Sequence, residues 1–116
     1  MIKKIGIVGG SGYTGGELIR ILINHPNVEI DFVYSRTNDG KKIHDIHSDL
    51  IGKDLPLFSK KVNKNIDVVI LCLGHGNSSK FLKENSFSKK TVIIDLSNDF
   101  RLKSNNSYKD LNFVYG

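Results

Sequence analysis

The sequence predicts an α/β fold, with a doubly wound and mainly parallel sheet carrying helices on both faces. An apolar strand over residues 2–8 runs directly into a glycine-rich turn, and an amphipathic helix follows at once. Near-continuous apolar runs over 67–73 and 91–96 are typical of strands that are covered on both faces. Strands alternate with helices, which favours parallel pairing through right-handed crossovers. With 116 residues, we expect one domain spanning residues 1–116.

The glycine-rich turn is the most informative segment, because it has the pattern Gly10-x-Gly12-x-x-Gly15. In such a pattern the glycines provide a tight turn, a close approach of backbone to a pyrophosphate, and a close contact of helix with strand. The amide groups and positive dipole at the helix start then face the anion. Thr14 and Glu17 have the spacing of a capping box. The turn therefore predicts a Rossmann-like dinucleotide site, with a glycine turn of another α/β unit as the alternative.

The other elements follow from apolar spacing and from breaker residues. Helical spacing of Leu18, Ile19, Leu22 and Ile23 continues the first helix until residues 24–27 stop it. The remaining segments, in order, are a strand over 28–34, a loop over 35–40, a short helical or irregular excursion over 43–51, a helix capped by Asn77 or Ser78 that runs to about Glu84, and a strand beginning at 113–115.

Loops that follow parallel strands meet at the carboxyl edge of the sheet, where open α/β sheets bind ligands. We therefore expect the glycine turn and the loops after the next strands to form one crevice. His75 in that crevice would touch the nucleotide or the substrate, or would hydrogen-bond the backbone of its own loop. The predicted nucleotide-binding residues are Gly10, Ser11, Gly12, Tyr13, Thr14, Gly15, Ser35, Arg36, Leu73, Gly74, His75, Gly76 and Ser97.

The end of the second strand indicates which nucleotide binds. An acidic residue about twenty positions after the glycines usually holds the ribose hydroxyl of NAD. Here that position is Ser35, followed by Arg36 and Thr37, and none of the three is a carboxylate. A guanidinium offers a bidentate, charge-assisted contact to a phosphate, so the sequence favours NADP. The alternative is an exposed loop arginine without a ligand.

Composition narrows the function classes. The net charge is +5, but the basic residues are scattered rather than gathered in a patch with aromatic residues, so nucleic-acid binding is disfavoured. No apolar run approaches the length needed to span a membrane. The single cysteine, Cys72, cannot form an internal disulfide, which favours the cytoplasm. Its apolar strand indicates a core thiol of low reactivity.

A histidine-containing segment, His44-Asp45-Ile46-His47 with Asp49, raises the question of a metal site. Two histidines three positions apart are too few ligands to indicate a metal. We interpret the segment as a solvated loop and expect no metal.

Five segments resemble the N-acetyl-γ-glutamyl-phosphate reductase family, within the wider semialdehyde dehydrogenase group. They are Gly-Ser-Gly-Tyr-Thr-Gly at 10–15, Asn-His-Pro at 24–26, Ser-Arg at 35–36, Asp-Leu-Ser-Asn-Asp-Phe-Arg-Leu at 95–102 and Val-Tyr-Gly at 114–116. The resemblance runs in order along essentially the whole chain. Two departures are Gly74, where the family often has proline, and Asn98, where alanine is common.

The resemblance implies an enzyme of arginine biosynthesis that uses NADPH to reduce an acyl phosphate to N-acetylglutamate 5-semialdehyde and phosphate. It implies that Arg101 binds the substrate phosphate, with an ion pair to Asp99 as the alternative. The family's catalytic cysteine and histidine follow the Val-Tyr-Gly segment, so no catalytic residue is assigned here. We therefore expect an amino-terminal NADP-binding region of a longer two-domain enzyme, inactive alone and homo-oligomeric at full length. A freestanding or regulatory nucleotide-binding module and another Rossmann oxidoreductase remain alternatives.

Overall fold

A computed structural model describes residues 2–73 and 76–96, together with the strand at 112–115. Its elements in chain order are β1 (Lys3–Val8), α1 (Tyr13–Leu22), β2 (Val28–Tyr34), α2 (Ile43–Ile46), a 3-10 helix (Ser48–Leu50), β3 (Phe58–Ser59), β4 (Val68–Leu71), α3 (Asn77–Glu84), β5 (Val92–Asp95) and β6 (Asn112–Tyr115). Among these described residues, no helix is long and apolar enough to cross a membrane.

The six strands form one parallel sheet in the order β3-β2-β1-β4-β5-β6. The chain winds outward from β1 to β3 and then crosses to the other side of β1 to form β4. The strand order therefore reverses between β1 and β4, and ligands of open α/β sheets bind at the carboxyl ends beside such a point. This topology confirms the predicted parallel α/β fold.

Two apolar layers cover the sheet, because successive side chains of a strand point to opposite faces. Ile7 packs with Ile19 of α1 in one layer, which also holds α2 and β3 residues. The adjacent Val8 packs in the other layer, with Phe81 of α3. Helices therefore lie on both faces of the sheet, as predicted.

Both longer helices begin at a glycine, so the predicted side-chain caps are wrong. Gly12 is the N-cap of α1 in an extended conformation, and no side chain caps the helix. Glu17 lies beyond the first turn and forms an ion pair with Arg20, with 2.7 Å between Glu17 Oε1 and Arg20 Nη1. Gly76, with φ of +84°, is the N-cap of α3 in place of Asn77 or Ser78.

The strand β3 has no counterpart in the prediction. It contains only Phe58 and Ser59, which pair with Val33 and Tyr34 of β2. Two residues are too few to show an alternating pattern, although Phe58 is fully buried. The predicted strand at 67–73 is shorter in the structure and ends at Leu71.

Candidate functional site

The turn between β1 and α1 depends on its glycines in different ways. Gly9 has φ of +87°, so the left-handed residue of the turn lies one position before the Gly10-x-Gly12-x-x-Gly15 pattern. A Cβ on Gly10 would overlap the Val33 side chain on β2, which shows why this position is a glycine. The amides of Gly9 and Gly10 both donate to the Tyr34 carbonyl, at 3.0 and 3.2 Å. The turn is thereby bonded directly to the end of β2.

The third glycine of the pattern lets α1 pack onto the turn. A Cβ on Gly15 would lie 2.5 Å from the Gly9 carbonyl oxygen and 2.6 Å from Cα of Gly10. Gly12 differs, because its Cβ would meet only the Gly9 carbonyl oxygen, at 3.8 Å. The outer side of the turn at Gly12 is therefore open.

Several backbone amides lie at this open turn, where α1 begins. Across the described ranges, the amides of Ser11, Tyr13, Thr14 and Gly15 donate to no acceptor of the protein. Residues 12–14 are exposed. Amides at the positive end of a helix form a cradle for an anion such as a phosphate.

At the end of β2, Ser35 and Arg36 occupy different environments. Ser35 is 3% exposed, and its hydroxyl donates to Ser11 Oγ at 3.2 Å and accepts from the Asn38 amide at 3.3 Å. Ser35 therefore joins the glycine turn to the loop after β2. Arg36 is exposed, and in the part of the chain that the structure describes it forms no ion pair.

A cavity of about 150 Å³ lies between the ends of β2 and β4 and the helix α3. It brings together Arg36 and Leu73, two of the predicted nucleotide-binding residues, and adds Lys80 from α3. Its lining residues are Tyr34, Arg36, Leu73, Asn77, Lys80, Phe81 and Glu84. Larger hollows of about 390 and 690 Å³ are lined by residues of 42–57 and of the amino edge of the sheet, and none of these three cavities is lined by the glycine turn.

His47 is a residue of this site that the sequence did not reveal. It is 7% exposed, so its interpretation as part of a solvated loop is wrong. Its Nε2 lies 2.7 Å from the Gly10 carbonyl oxygen, and its ring fills the space where a Cβ of Gly16 would stand. In the sequence, Ile43, His47 and Leu50 have the i, i+4, i+7 spacing of residues on one face of a helix. Because Ile43 and Leu50 are apolar, this spacing was the signal that could have indicated a buried His47.

Asp49 lies beside His47 and binds Arg20 of α1. Arg20 donates from Nε to Oδ2 at 2.6 Å and from Nη2 to Oδ1 at 2.8 Å. These hydrogen bonds lower the pKa of the Asp49 carboxyl and raise the pKa of the Arg20 guanidinium. The segment therefore carries an ion pair, and the described residues contain no group of three potential metal ligands.

Cys72 lies just past the end of β4 rather than inside the strand, and it is half-buried. Burial raises the pKa of its thiol to about 11, and the carboxylate of Asp95 adds to the shift. Asp95 is itself buried at the end of β5 and accepts a hydrogen bond from Ser78 Oγ at 3.3 Å. A thiol in this environment is a poor nucleophile at neutral pH.

The semialdehyde dehydrogenase NAD-binding domain model matches residues 4–116. The chain belongs to this family. N-acetyl-gamma-glutamyl-phosphate reductases are similar in sequence, with 60% identity for the protein of Christiangramia forsetii and 57% for that of Flavobacterium johnsoniae. Each match covers 97% of this chain but only 34% and 35% of the relative. The chain thus spans about a third of the length of these relatives, and the resemblance seen in the sequence is confirmed.

Solved semialdehyde dehydrogenases share the fold of this family member. The aspartate semialdehyde dehydrogenase with NADP from Candida albicans superposes with a TM-score of 0.68 and 24% identity, covering 89% of this chain and 32% of that one. The aspartate semialdehyde dehydrogenase II complexed with ASA from Vibrio cholerae gives a TM-score of 0.74 and 15% identity, covering 100% and 38%. Both show a Rossmann-like fold.

The predicted site residues of this semialdehyde dehydrogenase domain fall into two groups. Most lie at the carboxyl edge, in the glycine turn, at the end of β2, after β4 and at the start of α3. The others lie outside the described residues, and these are Gly74, His75, Ser97 and Arg101.

Proposed function

We propose that this chain is the NADP(H)-binding domain of a cytoplasmic N-acetyl-γ-glutamyl-phosphate reductase, homo-oligomeric at full length. The whole enzyme would reduce N-acetylglutamyl phosphate to N-acetylglutamate 5-semialdehyde and phosphate. The single observation that carries the proposal is the glycine turn, whose amides at Ser11, Tyr13, Thr14 and Gly15 donate to no acceptor among the described residues and whose Ser11 is hydrogen-bonded to Ser35, the residue before Arg36. Relatives of this name at 60% and 57% identity support it.

The glycine turn fits the pyrophosphate of a dinucleotide. The amides of Ser11, Tyr13, Thr14 and Gly15 supply donors, because they have no acceptor within the described ranges, and Gly12 leaves open space for the close approach of an anion. The pyrophosphate would lie on this side of the turn, with the adenosine directed toward the end of β2.

The end of β2 fits a 2′-phosphate better than a bare ribose. Arg36 forms no ion pair with another described residue and can make a bidentate contact with phosphate, and Lys80 lines the same cavity from α3. Leu73, Tyr34 and Phe81 give this cavity apolar walls suited to an adenine ring. Ser35 acts indirectly, since its hydroxyl is already bonded within the protein. These groups favour NADP(H) over NAD(H).

The chain's own residues would bind and orient the nucleotide, and the reduced nicotinamide supplies the hydride when it is bound. Leu73, Gly74, His75, Gly76 and Ser97 are proposed to line the rest of the nucleotide site. Cys72 is not proposed as the nucleophile, because burial keeps its thiol protonated. We therefore expect no reduction of an acyl phosphate by these 116 residues alone.

Titration of NADPH and NADH against the native chain and Arg36→Ala tests the proposal. A lost charge-assisted hydrogen bond costs about 1.5–3 kcal/mol, so NADPH binding should weaken roughly 10- to 100-fold. NADH binding should stay nearly unchanged. Lys3→Ala is the matched control, because it removes one positive charge at the opposite end of β1. Equal affinity of the native chain for both nucleotides would overturn the NADP assignment.

Arg101 is proposed to bind the phosphoryl group of the substrate, by the resemblance described above. The test requires the full-length enzyme, in which Arg101→Lys keeps the charge but loses the bidentate geometry. A higher KM for acyl phosphate at unchanged NADPH affinity and melting temperature would support the role. A lower melting temperature with unchanged phosphate dependence would show an ion pair, with Asp99 as the expected partner.

A further inference from the structure

A short helical segment contacts the glycine turn through a buried side chain. We call residues 43–50 the brace, which comprises α2 and the 3-10 helix. Its buried side chains are Ile43, His47 and Leu50, and the two apolar ones belong to the core layer of α1. Asp49 binds Arg20 of α1 through two hydrogen bonds. The brace is thus fixed to the helix that begins at the turn.

His47 is the only polar member of that buried face, and it contacts the turn directly. The Gly10 carbonyl oxygen accepts hydrogen bonds only, so the 2.7 Å contact requires a proton on His47 Nε2. Both the Nε2–H neutral tautomer and the charged ring carry this proton. The adjoining edge of the ring meets Gly16, where a Cβ would stand 2.5 Å from Cε1 and 2.7 Å from Nδ1. The ring is therefore confined between the turn and α1.

This hydrogen bond also orients an amide group. The Gly10 carbonyl and the Ser11 N–H belong to one planar peptide unit, in which the two groups point in opposite directions. Holding the carbonyl toward the buried brace therefore directs the Ser11 N–H away from it. The Ser11 amide is one of those that donate to no protein acceptor in the described ranges.

We propose that His47 is a positioning residue that holds the Gly10–Ser11 peptide with its N–H toward the pyrophosphate. The proposal rests on the proposed nucleotide-binding function and adds a residue to it. Because the pyrophosphate is common to NADPH and NADH, His47 should affect both equally. Arg36 should instead affect only the nucleotide with a 2′-phosphate.

The test compares two nearly isosteric variants that differ in the donor. His47→Gln keeps an N–H in place of Nε2, whereas His47→Met has none. We expect His47→Met to weaken NADPH and NADH about tenfold each, which corresponds to about 1.4 kcal/mol, and His47→Gln to restore most of the affinity. His44→Met is the control, because His44 lies on the same short helix but only half-buried. Adenosine 2′-monophosphate, which lacks the pyrophosphate, should bind all four proteins alike.

The outcomes separate the two claims. Native-like dinucleotide affinity in His47→Met would overturn the role of His47 while the nucleotide-binding proposal stands. Loss of adenosine 2′-monophosphate binding together with the dinucleotides would also overturn it, because the effect would then extend beyond the turn. A native chain that binds neither dinucleotide would overturn both. If the His47 variants fail to fold, Gly16→Ala displaces the ring instead, and unchanged dinucleotide affinity in that variant would contradict the proposal.

Discussion

Replacing Gly15 by alanine tests the packing that holds the glycine turn against α1. The new Cβ would lie 2.5 Å from the Gly9 carbonyl oxygen, whereas ordinary contacts lie at 3.4–4 Å. The opposing atoms belong to backbone, so the turn must move by about 1 Å. Such overpacking costs about 1–3 kcal/mol. Alanine regains about 0.5–1 kcal/mol of helix propensity, which leaves a net loss of about 1 kcal/mol in the free energy of unfolding, and at most about 2.5 kcal/mol.

Urea denaturation followed by circular dichroism measures this loss. Thr14→Ala is the control, because Thr14 is exposed on the same first turn and its side chain caps nothing. We expect this control to match or slightly exceed the native stability. A Gly15→Ala protein as stable as the Thr14→Ala protein would refute the close packing of α1 on the turn.

Three further predictions concern residues around the site. Asp49→Asn should lower the melting temperature at pH 7, because it removes the ion pair with Arg20. Since the pKa of Asp49 is lowered in the folded state, the melting-temperature difference between native and variant should shrink as the pH falls below about 4 and disappear as it passes through that lowered pKa. A melting-temperature difference between the native chain and Asp49→Asn that is as large at pH 2 as at pH 7 would contradict this. Alkylation of Cys72 by iodoacetamide should be slow at pH 8, where a thiol with a pKa of about 11 is ionised to about one part in a thousand, and should accelerate up to about pH 11. Reaction at the rate of free cysteine would show that the thiol is not shielded. Phe58→Ala should reduce the free energy of unfolding by about 3–5 kcal/mol, because the ring is fully buried between β2 and the brace, and a loss under 1 kcal/mol in urea denaturation would be inconsistent with that burial.

The sequence was sufficient where a periodic pattern was long enough to fit only one structure. The strand β2 has the predicted bounds, because residues 28–34 combine alternation with an apolar end between two breaker segments. The apolar runs near β4 and β5 indicated strands covered on both faces, and the two core layers confirm this. The two residues of β3 carry no such pattern, and their pairing with β2 is a tertiary effect.

The candidate site was predictable in its backbone but not in its supporting contacts. Glycine spacing identified the turn, whereas it did not include Gly9, the left-handed residue, and did not reveal that Gly10 must lack a Cβ because of Val33. His47 was missed because a histidine among polar residues suggests a solvated loop. The i, i+4, i+7 spacing with Ile43 and Leu50 indicates a buried position, whereas the contact with the Gly10 carbonyl depends on tertiary packing that no local pattern specifies. Ser35 likewise has a local bonding role that spacing alone does not reveal.

The central claim is that the carboxyl edge of this sheet binds NADP(H), with the pyrophosphate on the glycine turn and the 2′-phosphate on Arg36. Direct titration of the native chain with NADPH and NADH under identical salt and pH tests it. The account predicts saturable binding of both, with NADPH at least about tenfold tighter, since one charge-assisted contact is worth about 1.5–3 kcal/mol. Tighter binding of NADH, or saturation by neither nucleotide, would contradict it.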